Sequence, residues 1–437
     1  MLYFSTNKSS VPVSLKKATL EGLAPDGGLY VPAELPFFSP EELAFLEGAD
    51  FTSVALAITK KFTGSDIPVD RLSDIIDSCY DFETPIVSLD SSTFVAELFC
   101  GPTLAFKDYG ARFLARLTGY FATEEQRMTT VLVATSGDTG SAVAYGFDGI
   151  ENTRVVLLYP SGKVSPLQEC QLTTAGNNVH ALEVQGDFDD CQRMVKEAFG
   201  DPSLQGRLRL TSANSINISR LIPQTFYYAW AALQLQERHG ISNAPFSVPS
   251  GNYGNVTAGI LAKKMGFPIG HFIAASNAND SVTRYLATGR YDPVPTVATL
   301  STAMDVGNPS NFARLRYFYK NDHQLMNSEM SGTSVSDDET RQTMRSVYER
   351  FGYVMEPHTA VAFCALERYR NNIAEPGHPG IMLSTAHPVK FQEAITETLG
   401  ITPAIPENLA LLMKKEKKAT LIKAEYRELA TFLNGLA

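Results

Sequence analysis

The sequence predicts an α/β protein with mostly parallel sheets, and two observations carry that reading. From about residue 93, short apolar runs rich in β-branched residues ("TTVLVAT", "RVVLLYP", "NVHALEV") alternate with stretches of helical period, the pattern of βαβ units. The runs are apolar nearly throughout, as strands covered by helices on both faces must be. In such sheets ligands bind beyond the carboxyl ends of the strands, where loops lead into helices. Function should therefore be sought at those junctions.

The elements follow in order. The first ninety or so residues are mixed: "DGGLYVP" reads as a turn and a short strand, and "SPEELAFLEG" as a helix capped by Ser39, with Pro40 first and Glu42 in its first turn. "TFVAELF" is a strand, "GPTLAFKDYGARF" a turn and helix, and "TTVLVAT" a strand ending in "SGDTGSA". "RVVLLYP" precedes the helix "SPLQECQLTTAG", with Ser165 as cap and Pro166 at its first position. "NVHALEV" and "FDDCQRMVKEAF" repeat the unit, and "PFSVPSGNYGNVTAGILAKKMG", "HFIAASN" and "GIMLSTAHP" continue it.

Composition narrows the function classes. The chain has 437 residues and a formal charge of -10, which argues against nucleic acid or an anionic membrane as partner. A small anion can still bind where positive groups converge. None of the five cysteines forms a CxxC pair, and their odd number does not fit a disulfide framework. The start "MLYFSTNKSSVPVSL" lacks the build of a signal or transit peptide. No apolar run approaches the ~20 residues of a membrane helix. The expectation is a cytoplasmic protein with reduced thiols.

Lys107 stands between Leu104-Ala105-Phe106 and an apolar helical face. Either it ends a strand and points outward, or its amine is held in an apolar cleft. Four other junctions bear on the choice. Thr135, Ser136, Gly137, Asp138 and Thr139 leave backbone N–H groups at a helix N-terminus, which suits a carboxylate or phosphate, although a plain capped turn reads the same way. Ser250, Gly251, Asn252, Tyr253, Gly254 and Asn255 form a glycine turn before a helix. That turn is neither a Walker loop nor a dinucleotide loop, and it fits a phosphate. Lys163 precedes a helix N-terminus, where an anion between the two would explain it; a solvated loop lysine is the alternative. Thr385 ends a strand, where its hydroxyl can donate to a ring nitrogen, and His387 is either an acid–base group or a capping residue. Asn217, Arg220 and Arg112 are further polar candidates, the arginines for a phosphate or as surface charge.

An amine kept neutral by desolvation, a phosphate loop and a hydroxyl for a ring nitrogen together match pyridoxal 5'-phosphate (PLP), with no metal. The motifs "ELFCGPTLAFKDYGARF", "ATSGDTGSA", "YPSGKVSPLQ", "SANSINISRL", "VPSGNYGNVTAG" and "STAHPVKF" occur in the order seen in threonine synthases, and the chain resembles the long bacterial and fungal form of that family. The resemblance implies a fold-type-II PLP enzyme, similar to the tryptophan synthase β chain, with two α/β domains, the cofactor cleft between them and an N-terminal subdomain. The expected division is 1–92, 93–225 carrying Lys107, and 226–437 carrying the glycine loop. It implies a lyase that converts O-phospho-L-homoserine and water to L-threonine and phosphate. An O-phosphohomoserine phospho-lyase giving 2-oxobutyrate would share the same motifs.

By the same resemblance, Lys107 is the Schiff-base lysine, Ser250 to Asn255 hold the cofactor phosphate, and Thr385 meets the pyridine nitrogen. Ser136 to Thr139, with Thr135, take the substrate carboxylate, and Asp138 reaches the ring hydroxyl. An ionised Asp138 would repel a phenolate, so a shared proton or a different contact is expected there. The substrate phosphate is assigned to Lys163 and Arg220, with Arg112 and Asn217 beside them. Asp108 reads as a cap of the following helix. The long form is often monomeric, and a monomer is expected.

Overall fold

A computed structural model describes residues 1–135, 137–372 and 374–436. Strands β1 (Leu2–Ser5), β2 (Val13–Ser14) and β3 (Tyr30–Pro32) form a small antiparallel sheet in the order β2-β1-β3. The remaining strands are β4 (Ile86–Ser88), β5 (Thr93–Glu97), β6 (Thr129–Ala134), β7 (Thr153–Pro160), β8 (Val179–Gln185), β9 (Arg209–Thr211), β10 (Ala244–Pro249), β11 (Ile269–Ser276), β12 (Met330–Ser334), β13 (Gly380–Ser384) and β14 (Ala419–Lys423). One sheet runs β12-β11-β10-β13-β5-β4 and is parallel except at the β4–β5 edge. The other, β14-β8-β7-β6-β9, is parallel throughout. β6 and β10 are buried at every position, as two-sided coverage demands.

The sheets cross the domain boundaries expected at 92, 225 and 226. β5 and its antiparallel neighbour β4 pair into the six-stranded sheet, where β5 lies beside β13 in register from Thr93↔Gly380 to Glu97↔Ser384. The run Phe94-Val95-Ala96 is buried on both faces, as an interior strand must be, and its two neighbours are β4, just before it in sequence, and β13, far along the chain. At the other end β14 returns to the five-stranded sheet as the partner of β8. There Ile422, Leu429 and Leu433 bury against Met194 and Val195 of helix Phe188–Gly200 and close an otherwise open edge.

Local signals set the helix starts. Ser165 and Gln168 form a reciprocal capping box ahead of helix Pro166–Thr173, as Ser39 and Glu42 do ahead of Pro40–Ala44. Helix Lys107–Glu124 is shared by two cores. Tyr109, Phe113, Leu117 and Phe121, four residues apart, pack with Phe226, Tyr227 and Phe246. Ala111, Leu114 and Ala115 pack with Val131, Val133 and Phe147 beneath the five-stranded sheet. The Tyr109 ring meets Phe82 and Tyr227 edge to face at 5.1 and 5.2 Å. Burying side chains of this size contributes about 1.5–3 kcal/mol each, so the helix cannot tilt without loss on one side or the other. Among the described residues no helix is long and apolar enough to cross a membrane. All five cysteines are free.

Helix Gly254–Lys264 lies against β11 through Gly259, where an added Cβ would meet the Phe272 ring and come within 2.8 Å of the Tyr228 ring. Alanine there gains up to about 1 kcal/mol of helix propensity but overpacks two fixed aromatic rings, which costs about 1–3 kcal/mol. Gly259→Ala should therefore lower stability by about 1–2 kcal/mol in urea unfolding. An unchanged or raised midpoint would show that the rings yield.

Candidate active site

The turn that presents Lys107 is sewn to the end of β13. Phe106 N–H donates to Thr385 O at 2.9 Å, His387 N–H donates to Leu104 O at 3.0 Å, and Ala105 and Ala386 form an antiparallel bridge. Leu104 sits at φ +60°, a conformation that costs a non-glycine residue about 1 kcal/mol or more. The ladder on one side and the Leu104 N–H bond to Gly101 O at 2.9 Å on the other hold it there. Asp108 closes the same turn. Its carboxylate accepts from Thr103 N–H at 2.8 Å and from Thr103 Oγ1 at 2.6 Å. The expected helix cap is thus corrected: Asp108 lies inside the first turn and its carboxylate is spent on Thr103, four residues before the helix begins. Burial pushes its carboxyl up to about 6.

Lys107 is half-buried at the head of its helix. Burial lowers its pKa; the carboxylate of Asp138 opposes that shift, and the cations Lys390 and Arg220 add to it. The net shift is toward the neutral amine, the direction that the apolar approach sequence implied.

Across the cleft β10 ends in the glycine loop. Ser250 donates its N–H to Ala275 O and its hydroxyl to Val248 O, both at 2.8 Å. Asn252 Nδ2 donates to Ser215 Oγ, and its Oδ1 accepts from Ser310 N–H at 2.6 Å. Tyr253 takes the left-handed conformation, φ +59°, and helix Gly254–Lys264 starts immediately after it. Gly251 has no room for a side chain: a Cβ would lie 2.7 Å from Met304 Cα and 2.9 Å from Ala303 O. Asn255 Oδ1 accepts from Tyr227 and Tyr228 hydroxyls at 2.7 and 2.8 Å, while its buried Nδ2 has no hydrogen-bond partner among the described residues. A tight cradle, a helix N-terminus and an unpaired amide donor make a fitting seat for a phosphate. Behind it lies Arg314, a residue the sequence reading passed over. It is fully buried and donates to Asn311 Oδ1 and Ile216 O, both at 2.6 Å, and to Tyr30 O at 3.0 Å.

The third wall comes from the five-stranded sheet. Thr135 Oγ1 accepts from Gly137 N–H at 3.1 Å and Gly140 N–H at 2.9 Å. Its hydroxyl therefore shapes the loop. Ser136 lies outside the described residues. Gly137 and Thr139 flank Asp138 at the start of helix Asp138–Phe147. Asp138 does not meet a cofactor oxygen unaided: Lys390 Nζ lies 2.8 Å from its Oδ1 and Gln168 Nε2 3.3 Å from the same atom. Burial would raise the Asp138 carboxyl, but the charges of Lys390 and Lys107 hold it well below the usual range. The sequence reading missed Lys390, although it belongs to the quoted motif "STAHPVKF"; a lysine one turn past a strand-end Thr-Ala-His-Pro was the available signal.

Thr385 is buried at the head of the cleft, opposite the Lys107 turn. The preceding Ser384 hydroxyl lies 2.8 Å from Thr359 Oγ1, which donates to the buried Glu356. His387 is a cap: its Nδ1 accepts from Val389 N–H at 3.1 Å and its ring stacks edgewise on Phe99. Two substrate candidates are withdrawn by their own partners. Asn217 Oδ1 caps Ser219 N–H at 3.0 Å, and its Nδ2 donates to Thr19 O at 3.0 Å and Ser212 O at 3.2 Å. Arg112 is paired with Asp81 at 2.9 Å and Ser78 O at 2.8 Å. Arg220 is buried near Lys107 and Asp108, donates to Ala213 O, and has no partner at Nε among the described residues; burial lowers its pKa to about 10. Lys163 is exposed on the loop before helix Pro166–Thr173.

The comparisons with known proteins agree with this geometry. Residues 81–384 match the family model described as pyridoxal-phosphate dependent enzyme, residues 2–80 that of the threonine synthase N terminus, and residues 359–433 that of the threonine synthase C-terminal region. A threonine synthase from Serratia marcescens is 43% identical over 100% of both chains. The crystal structure of threonine synthase from Escherichia coli covers 100% of both chains with a TM-score of 0.90 and 41% identity. That of PLP-bound threonine synthase from Brucella melitensis covers 100% of this chain and 99% of its own, with a TM-score of 0.93 and 36% identity. The lysine, the cradle and the strand-end hydroxyl suit that cofactor.

Gly251→Ala should weaken PLP retention by about tenfold or more, equivalent to roughly 1.4 kcal/mol, because the loop must move off Met304 to admit the Cβ. Equilibrium dialysis measures the affinity and circular dichroism the fold. Wild-type affinity in the alanine variant would remove this loop from the cofactor seat.

Proposed function

The chain belongs to the threonine synthase family, and we propose that Lys107, the Ser250–Asn255 loop and Thr385 carry its chemistry. It is a lyase of threonine biosynthesis that uses pyridoxal phosphate. The observation that supports the residue assignment is the ladder between Leu104–Phe106 and Thr385–His387, which runs the backbone of the turn before Lys107 beside that of Thr385.

When bound, the cofactor supplies an aldehyde that captures amines and a ring that withdraws electrons from the carbons next to a substrate amine. Lys107 would hold it covalently through Nζ. The N–H groups at the start of helix Gly254–Lys264 and the free Asn255 Nδ2 would take its phosphate, and the Thr385 hydroxyl would donate to its ring nitrogen. A hydroxyl in that position leaves the ring nitrogen uncharged, which moderates electron withdrawal.

The substrate in this reading is O-phospho-L-homoserine, which with water gives L-threonine and phosphate. Lys107 Nζ, once displaced by the substrate amine, is the base that moves protons at the substrate's Cα and Cβ. The loop at Gly137 and Thr139 receives the substrate carboxylate at a helix N-terminus. Arg220, a buried guanidinium with Nε unpaired, and Lys163 at the exposed rim are the cations for the substrate phosphate. Arg112 and Asn217 have no part in it. A cytoplasmic setting and a monomeric chain belong to the same proposal: the free thiols support the first, the long-form resemblance the second.

Incubation of the purified protein with PLP and O-phosphohomoserine should release threonine and phosphate in equal amounts, and Lys107→Ala should cut turnover by about 10³-fold or more. Accumulation of 2-oxobutyrate in place of threonine would contradict the reaction. Wild-type turnover in Lys107→Ala would contradict the residue.

A further inference from the structure

Arg314 is a buried cation that no carboxylate answers. It lies fully buried in helix Phe312–Phe318. Its Nε donates to Tyr30 O at 3.0 Å, its Nη1 to Asn311 Oδ1 at 2.6 Å and Ser215 O at 3.3 Å, and its Nη2 to Ile216 O at 2.6 Å. Every one of these acceptors is neutral, and among the described residues no carboxylate pairs with the guanidinium. Arg112 and Arg370, also buried, are paired with Asp81 at 2.9 Å and Glu367 at 2.6 Å. Burial lowers the Arg314 pKa to about 9, which leaves it a cation at neutral pH. An unpaired charge held away from water is costly, so an anion that comes near it is stabilised.

The neighbours of Arg314 lead directly to the glycine loop. Asn311, which accepts from Nη1, carries its Nδ2 3.2 Å from the point where a Gly254 Cβ would stand and 3.4 Å from Ser215 Oγ. Ser215 Oγ also accepts from Asn252 Nδ2 of the loop, while the Ser215 carbonyl accepts from Arg314. Asn311 and Ser215 are thus the layer between the guanidinium and the loop. We infer that Arg314 is the buried counter-charge of the Ser250–Asn255 loop and makes that seat selective for a dianionic phosphate, acting through Asn311 and Ser215. The inference rests on the reading of this loop as the cofactor-phosphate seat. The loop's own donors are backbone N–H groups and side-chain amides, all uncharged; a full positive charge behind them makes the seat respond to the charge of its ligand as well as to its shape. Arg314 is therefore a positioning residue. Its bond to Tyr30 O also ties the back of the seat to β3.

Equilibrium dialysis of the full-length chain, freed of cofactor, against PLP and against pyridoxal, which lacks the phosphate, tests this. Arg314→Met should cut the preference for PLP over pyridoxal by about tenfold or more and leave pyridoxal affinity within about threefold of wild type. A purely structural role would weaken both ligands alike, and that result, like an unchanged preference, overturns the inference. Phosphorus NMR of the PLP-loaded protein reads the charge itself. The second ionisation of a free phosphate ester lies near about pH 6; a nearby cation favours the dianion, so it should lie lower in the wild-type complex and move upward in Arg314→Met. If Arg314→Met fails to fold, the wild-type titration still decides: a bound phosphate that ionises at or above its free value overturns the inference. Wild-type protein that binds pyridoxal as tightly as PLP would instead remove the loop as a phosphate seat, and the inference with it.

Discussion

Two backbone hydrogen bonds organise the site. Phe106 N–H to Thr385 O and His387 N–H to Leu104 O join a turn that follows β5 to the strand end of β13. β5 and β13 are already neighbours in register over five residues, so the ladder extends an existing pairing past the end of the sheet. It holds Leu104 in a conformation that leucine does not choose and starts a helix with a lysine at its head. That helix is wedged between two cores. The lysine is thus placed by the packing of the whole molecule.

Charge explains how an acidic chain handles an anionic cofactor and substrate. The net charge of -10 says nothing about a desolvated cleft, where a few cations dominate. Lys107, Lys390 and Arg220 lie there with Asp138 as counter-charge, and Arg314 lies behind the glycine loop with neutral acceptors. Burial works against an unpaired charge: Lys390 and Asp138 meet it by pairing, and Lys107 by a lowered pKa.

The local parts of this site were legible in the sequence, because each is a strand-to-helix junction with its own signature. Lys107 after apolar residues, Ser250 to Asn255 between a strand and a helix, and Ser165 as a cap all declare themselves within ten residues. What was not legible depends on partners far along the chain. Asn217 looked like a ligand until Thr19, nearly two hundred residues earlier, took its amide. Arg112 had the right charge for a phosphate, but Ser78 and Asp81 had claimed it. Lys390 was passed over although it stands in a quoted motif, because the partner that gives it a role, Asp138, sits 252 residues away. The sheets cut across the expected division of the chain for the same reason, since β5 pairs with β13 and β14 with β8, each far away in sequence.

The central claim is that the ladder sets the site before any cofactor arrives. Residue-resolved hydrogen exchange at the Phe106 and His387 amides, measured in cofactor-free and PLP-loaded protein, tests it most directly. A preformed ladder predicts protection of both amides by about 100-fold or more in the cofactor-free chain, with little further gain on loading. Exchange at the rate of an unstructured peptide until PLP is added would contradict it and would make the cofactor, not the fold, the organiser of the site.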